Sequence, residues 1–472
     1  MHSTNNRSFI PILIAYIAVA SLYALLIPAW EAPDEPAHYN YIRQLAAFNF
    51  PVMTNTDYNQ DYQSEVISKD FDPSYSVEPF SYEDYQPPLY YLIQTPVYWL
   101  SGGWLSAMRL FGVFLGAITL TFAWLIFSHL ATLAEWDDTI PLLAVSFFAF
   151  LPQHISIQAS INNDSLTELL LAAGLLFLIK EVPVWQDTRR GRRERGKTTL
   201  FGAKVVPPPS TPTRFAPTTK LGCWLVVVMS LALLTKVTAY LLILVVGITI
   251  ITVFRWDWSK IVRKGFETFT IPFLVGCLWW GRNLAVYGWP DFLGIQAHDA
   301  AVIGQPTTAS WIAEFGLQET LRRLIQTTFR SFWGQFGWME VVMPRWVYLI
   351  LAIFSIIVLV GFSLEVRKQK KEVISDKYKV ESDSLTSHFI LLTSLFLLNL
   401  ALFLAYNLTF VQHQGRYFFA SLIPISLAVA IGIWFFIGQN KMIQKLPWGH
   451  LLAAGLVGLN LLALFRFILP AL

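Results

Sequence analysis

Pro88–Leu100, PLYYLIQTPVYWL, decides how this chain is threaded. It is apolar, yet shorter than the roughly 20 residues a spanning helix needs, and Pro96 interrupts it. Its surroundings point to a membrane. Of 472 residues, 55% are hydrophobic and 14% charged, against roughly a quarter charged in soluble domains. Too few polar side chains remain to cover a soluble surface. Around it stand eleven clearer apolar stretches: Phe9–Ala29, Leu105–Leu130, Ile140–Ser160, Leu166–Ile179, Leu221–Leu234, Val237–Phe254, Phe266–Leu284, Trp346–Leu364, Phe389–Asn407, Tyr417–Ile437 and Leu451–Leu469.

Charge settles whether 88–100 crosses, because short cytoplasmic loops collect Lys and Arg. Residues 182–220 carry nine basic side chains, Arg189, Arg190, Arg192, Arg193, Arg195, Lys197, Lys204, Arg214 and Lys220. Residues 31–86 are acidic from Glu31 to Asp84, with only Arg43 and Lys69 against them. If 88–100 crossed, the basic segment would be exported. If it lies along the interface, every basic loop is cytoplasmic. The expectation is an all-α polytopic protein of the plasma (inner) membrane with about eleven transmembrane helices and a cytoplasmic N-terminus. Residues 1–469 then form one transmembrane domain. Outer loop 31–104 includes an interfacial helix, 182–220 is a disordered cytoplasmic loop, and 285–345 is a second large outer loop. The first span reads as an anchor, since its apolar run is too long for a signal-peptide core.

Polar residues near the ends of the apolar runs gather on the outer face of this threading. Asp34, Glu35 and His38 follow span one, and Gln86 precedes the interfacial helix. Arg109 starts span two, Asp164 lies in Asn162-Asn163-Asp164 between spans three and four, and Lys236 lies between spans five and six. His413 and Arg416 precede span ten. Ionisable groups at membrane depth are costly and mark function. Several also have ordinary readings. Asp34-Glu35-Pro36 suits a helix start, Asn163-Asp164 suits a cap, and Lys236 and Arg109 suit snorkelling. Arg416 is harder to explain that way, and its planar guanidinium is suited to gripping a phosphate.

Exclusions narrow the classes further. The sequence has no GxGxxG, and its one GxxxxGK[ST] match, Gly191–Thr198, lies in the basic loop with no strand before it, so no nucleotide cofactor is expected. No basic face suits nucleic acid. Cys223 and Cys277 sit in apolar runs, which argues against a disulfide framework or zinc cluster.

These residues resemble a known family. Glu31-Ala32-Pro33-Asp34-Glu35-Pro36-Ala37-His38-Tyr39 looks like the Asp-Glu-x-x-His motif of GT-C class membrane glycosyltransferases, among them protein O-mannosyltransferases and the aminoarabinose transferases of lipid A. Gln86-Pro87-Pro88-Leu89 is similar to their His/Gln-Pro-Pro-Leu segment, and Leu233-Leu234-Thr235-Lys236 to their Leu-Thr-Lys turn. More narrowly, Pro33–His38, Ser160–Asp164 and Gln414-Gly415-Arg416-Tyr417 resemble bacterial DUF2142-type membrane proteins. The resemblance implies sugar transfer from a polyprenyl-phosphate donor to a glycan, lipid or protein acceptor at the extracytoplasmic face. It makes Asp34 the catalytic or metal-linked carboxylate, with Glu35 its acidic neighbour, and so allows a divalent metal ion. Arg416, Lys236 and Arg109 are then the groups to meet the phosphate, with His38, Asp164, Gln86 and His413 around the substrate. Competing readings are a lipid-linked sugar flippase and a non-catalytic subunit of envelope assembly.

Overall fold

Every apolar stretch becomes helical because, away from water, a backbone must satisfy its own hydrogen bonds. The computed structural model describes residues 6–195, 219–374 and 381–472. Helix α1 (Asn6–Leu26) leads into a loop built of α2 (Glu35–Ala46), α3 (Gln60–Ile67) and α4 (Leu89–Ser101). Then follow α5 (Leu105–Leu133), α6 (Thr139–Phe150), α7 (Pro152–Gln158), α8 (Asp164–Arg195) and α9 (Lys220–Leu233). A 3-10 turn, Val237–Tyr240, opens α10 (Leu241–Phe254), which precedes α11 (Trp258–Tyr287). The second loop holds α12 (Ile295–Ala301), α13 (Thr308–Phe315), α14 (Leu317–Trp333) and a ribbon of β1 (Gln335–Phe336) and β2 (Val341–Val342). Last come α15 (Arg345–Ile374), α16 (Glu381–Thr409), a 3-10 turn (Gly415–Ser421), α17 (Leu422–Ile437), α18 (Lys441–Gln444) and α19 (Trp448–Leu462).

Among the described residues, seven helices are long and apolar enough to cross a membrane, or eight if one bent pair counts as a span. The expected count of eleven is therefore not reached on length and composition, although a helix stands at each of the eleven stretches. Helix α9 has only 14 residues, and α8 is walled in by α5, α9 and α10. Ile140–Ser160 is not a straight span: α6 and α7 meet at 59°. Pro152 sits at the break, where a ring without an N–H cannot continue a helix.

Two further segments expected as loops carry helix. Helix α8 runs on to Arg195, into the segment read as disordered. Its extension is tied down where Trp185 Nε1 donates to Glu181 Oε2 at 3.0 Å and Gln186 Nε2 donates to Ser387 Oγ of α16 at 3.0 Å. Residues 196–218, the rest of that expectation apart from its last two positions, lie outside the described residues. The second loop is no open strand of chain either, since α14 alone has 17 residues.

In the bundle, α5 packs on α1 and α8, and α6 packs on α17 and α19. Where α15 crosses α17, a Cβ at Gly361 would run into the carbonyl of Gly432, and one at Gly432 into that of Val358. Small residues let these backbones touch, the usual packing device between helices in lipid. A smaller core of Ala37, Met53, Tyr58, Val66, Phe71, Phe80 and Tyr82 joins Ala301 and Val302 of the second loop. It binds the two loops into one roof over the bundle end.

Candidate active site

Glu35-Pro36 starts α2, because proline suits the first helical turn. Asp34, just before it, takes a left-handed backbone with φ +69°. Such strain in a non-glycine residue gathers at functional sites. The Asp34 side chain does not cap α2. Instead Tyr82 Oη donates to its Oδ1 at 3.0 Å, and Arg416 Nη2 donates to its Oδ2 at 2.5 Å. Burial opposes the charge on Asp34, but the Arg416 guanidinium and these hydrogen bonds outweigh it and hold the carboxyl below its ordinary range. Asp34 is ionised at neutral pH.

Arg416 reaches this position because the residue before it is glycine. A Cβ at Gly415 would collide with the α14 backbone at Thr328 and Phe332. Without one, Gly415 N–H donates to Ser331 Oγ at 2.7 Å, and the turn presses flat on α14.

A second ion pair stands beside the first. Asn162 Oδ1 accepts from the Asp164 N–H at 2.9 Å, so Asn162 does the capping and the Asp164 carboxylate is left to bind Lys236 Nζ at 2.5 Å. Pro87 and Pro88 have no N–H. The next donor, Leu89 N–H, crosses to Leu234 O at 2.9 Å and sets Lys236 near Gln86. His38 completes the group. Its Nδ1 lies 2.9 Å from Tyr91 Oη, which also accepts from Asn163 Nδ2 at 3.2 Å. Burial lowers His38 to about 3, so the ring is neutral.

One cavity of about 710 Å³ collects these groups. Asp34, His38, Gln86, Asp164, Lys236 and Arg416 all line it. Helix α16 contributes Leu402, Phe403 and Ala405 to an apolar wall, which Phe410 just beyond its end extends. The cavity thus has a charged end and a greasy side.

Three expected residues are elsewhere. Glu35 and Arg109 do not line the cavity; they form a buried two-pronged pair, Nε to Oε1 at 2.8 Å and Nη2 to Oε2 at 2.6 Å. Arg109 also donates to Ile27 O and Pro28 O, and Glu35 Oε1 accepts from Ile161 N–H. This cluster staples α1, α2 and α5 together and has no donor to spare for a phosphate. His413 turns away to meet the edge of Trp311, with ring centroids 5.4 Å apart. Glu83 and Tyr82, by contrast, line the cavity and were not singled out from the sequence. Their place just before Gln86-Pro87-Pro88 was the available signal, but Glu83 read as one more charge of an acidic loop.

A metal ion fits these side chains poorly. Both Asp34 oxygens are engaged by Tyr82 and Arg416. Among the described residues no three carboxylate, imidazole or thiol groups converge on a cation position.

Residues 198–425 match the family model of DUF2142, described as a predicted membrane protein. That match includes Gln414–Tyr417 and stops short of Pro33–His38 and Ser160–Asp164. No curated protein matches the sequence. Among solved structures, the apo oligosaccharyltransferase of Archaeoglobus fulgidus aligns at a TM-score of 0.50 and 10% identity, over 98% of this chain and 55% of that one. The fold is GT-C-like. Two other alignments are looser. ArnT from Cupriavidus metallidurans, bound to undecaprenyl phosphate, gives 0.46 and 11% over 98% and 73% of the two chains. AglB from Archaeoglobus fulgidus, with an inhibitory peptide and a dolichol-phosphate, gives 0.48 and 11% over 97% and 54%. The chain spans about half the length of the archaeal enzyme. With its apolar helices and the family match, this GT-C-like chain is an integral membrane protein.

Proposed function

We propose that this protein transfers a sugar from a polyprenyl-phosphate-linked donor to an acceptor hydroxyl at the extracytoplasmic membrane face. One observation carries the reading. A single cavity joins an ionised carboxylate, two cations and an apolar wall on a lipid-spanning helix. A phosphate with a hydrocarbon tail matches both halves. A site facing away from the cytoplasm has no ATP, so the donor must arrive already activated.

In this reading Asp34 takes the proton of the acceptor as it attacks the anomeric carbon, and Arg416 and Lys236 meet the phosphate that leaves. Both cations begin paired with carboxylates, which keeps buried charge compensated while the site is empty. Among the described residues the Arg416 Nε has no hydrogen-bond partner. A phosphate can therefore engage the guanidinium and draw it from Asp34, so that donor binding frees the base.

The test uses purified protein in detergent, where no gradient exists, with a panel of polyprenyl-phosphate hexoses. Release of polyprenyl phosphate that depends on added acceptor supports transfer. Binding of the donors without consumption favours a flippase.

A further inference from the structure

We propose that Glu83 is the general acid of the site: it hands its proton to the phosphate oxygen as the bond from that oxygen to the sugar breaks. The inference rests on the transfer reading above. Glu83 lines the same cavity as Asp34, and its Oε2 is buried without a hydrogen-bond partner. An oxygen so placed is costly unless something fills its need, and a protonated carboxyl facing a phosphate would do so.

The surroundings set the two carboxyls apart. Burial, with the charge of Asp34 adding to it, pushes Glu83 up to about 8, while Lys236, Arg416 and a hydrogen bond with Gln86 pull weakly the other way. His38, Asp164, His298, Asp299 and the tyrosines Tyr58, Tyr82, Tyr85, Tyr406 and Tyr417 complete the titratable lining. At neutral pH Glu83 holds its proton and Asp34 does not. Two carboxyls driven apart in this way mark an acid and a base.

The step balances. The acceptor oxygen forms its bond to the anomeric carbon and its proton passes to Asp34. The carbon–oxygen bond to phosphate breaks, its electron pair stays on that oxygen, and the Glu83 proton lands there. The protein ends with Asp34 protonated and Glu83 ionised, and one proton returned through the cavity resets it.

Release of polyprenyl phosphate from short-chain polyprenyl-phosphate hexoses, followed from pH 5 to 10, tests this in the full chain. The wild type should lose activity as pH rises past about 8. Glu83→Gln should fall about a hundredfold at pH 7 and lack that alkaline limb. Glu83→Asp, which keeps an ionisable proton, should be slower but retain the limb. Infrared titration gives a readout apart from turnover: the protonated carboxyl band disappearing near pH 8, to which Asp84 also contributes, should lose the Glu83 share of its intensity in Glu83→Gln. A Glu83→Gln protein with wild-type rate and profile, or with that band intact, overturns the acid role and leaves the transfer reading standing. A wild type that releases nothing from any donor overturns both.

Discussion

Asp34 and Glu35 are chain neighbours, each paired with an arginine far away in sequence, yet their surroundings divide them. Glu35 is fully enclosed, and its arginine is saturated by carbonyls of the α1 end. Asp34 keeps 24% of its side chain exposed and looks into a cavity, held by an arginine with a donor still free. The first pair is a fastening. The second is poised to come apart. Both positions carry an acid paired with a distant arginine, and access to the cavity is what separates them.

The comparison breaks most sharply at the buried pair. Arg109→Ala strands the Glu35 charge, which should cost about 3–5 kcal/mol and appear as loss of folded protein in detergent gel filtration. Replacing both partners, Glu35→Met with Arg109→Leu, should recover much of that loss. A single variant that elutes and melts like the wild type would mean the fastening role is misassigned.

At the open pair the expected loss is smaller and falls on binding. Arg416→Ala should weaken undecaprenyl phosphate binding by at least about tenfold, in keeping with the worth of a charge-assisted hydrogen bond. Arg416→Lys should keep part of the affinity, because it retains charge but loses the planar fork. Asp34→Asn should bind the lipid phosphate more tightly than wild type, since it releases the guanidinium. Equal affinities in all four proteins would remove Arg416 from phosphate recognition.

The smallest effect concerns Asp84, a carboxyl outside the cavity that Gln44 Nε2 meets at 2.8 Å. Burial raises it from 3.8 to about 8. The folded state therefore holds a proton that the unfolded chain gives up, and this contribution to stability declines as pH rises from about 4 to about 8. Asp84→Asn should flatten that part of the melting profile. An unchanged slope would place the titration elsewhere.

Much of the site was legible in the sequence because lipid makes charge conspicuous. Asp34, Asp164, Lys236 and Arg416 stood out as polar residues at the ends of apolar runs, and they share one cavity. What sequence could not separate was Asp34 from Glu35, or Arg416 from Arg109, because pairing partners 74 or 382 residues away are set by packing. Glu83 was hidden by the opposite problem, a charge among many in an acidic loop. For the fold, hydropathy located the long apolar helices of the bundle. It missed the break at Pro152, where the apolar run continues but the helix direction does not, and it stopped α8 too early because polar residues past 182 are held by contacts to α16.

The most direct measurement is acceptor-dependent release of polyprenyl phosphate by purified, folded wild-type and Asp34→Asn proteins at saturating donor. Asp34→Asn should bind donor and stay folded while its turnover falls about a thousandfold, within the range a positioned base contributes. Turnover by Asp34→Asn at the wild-type rate would contradict the account.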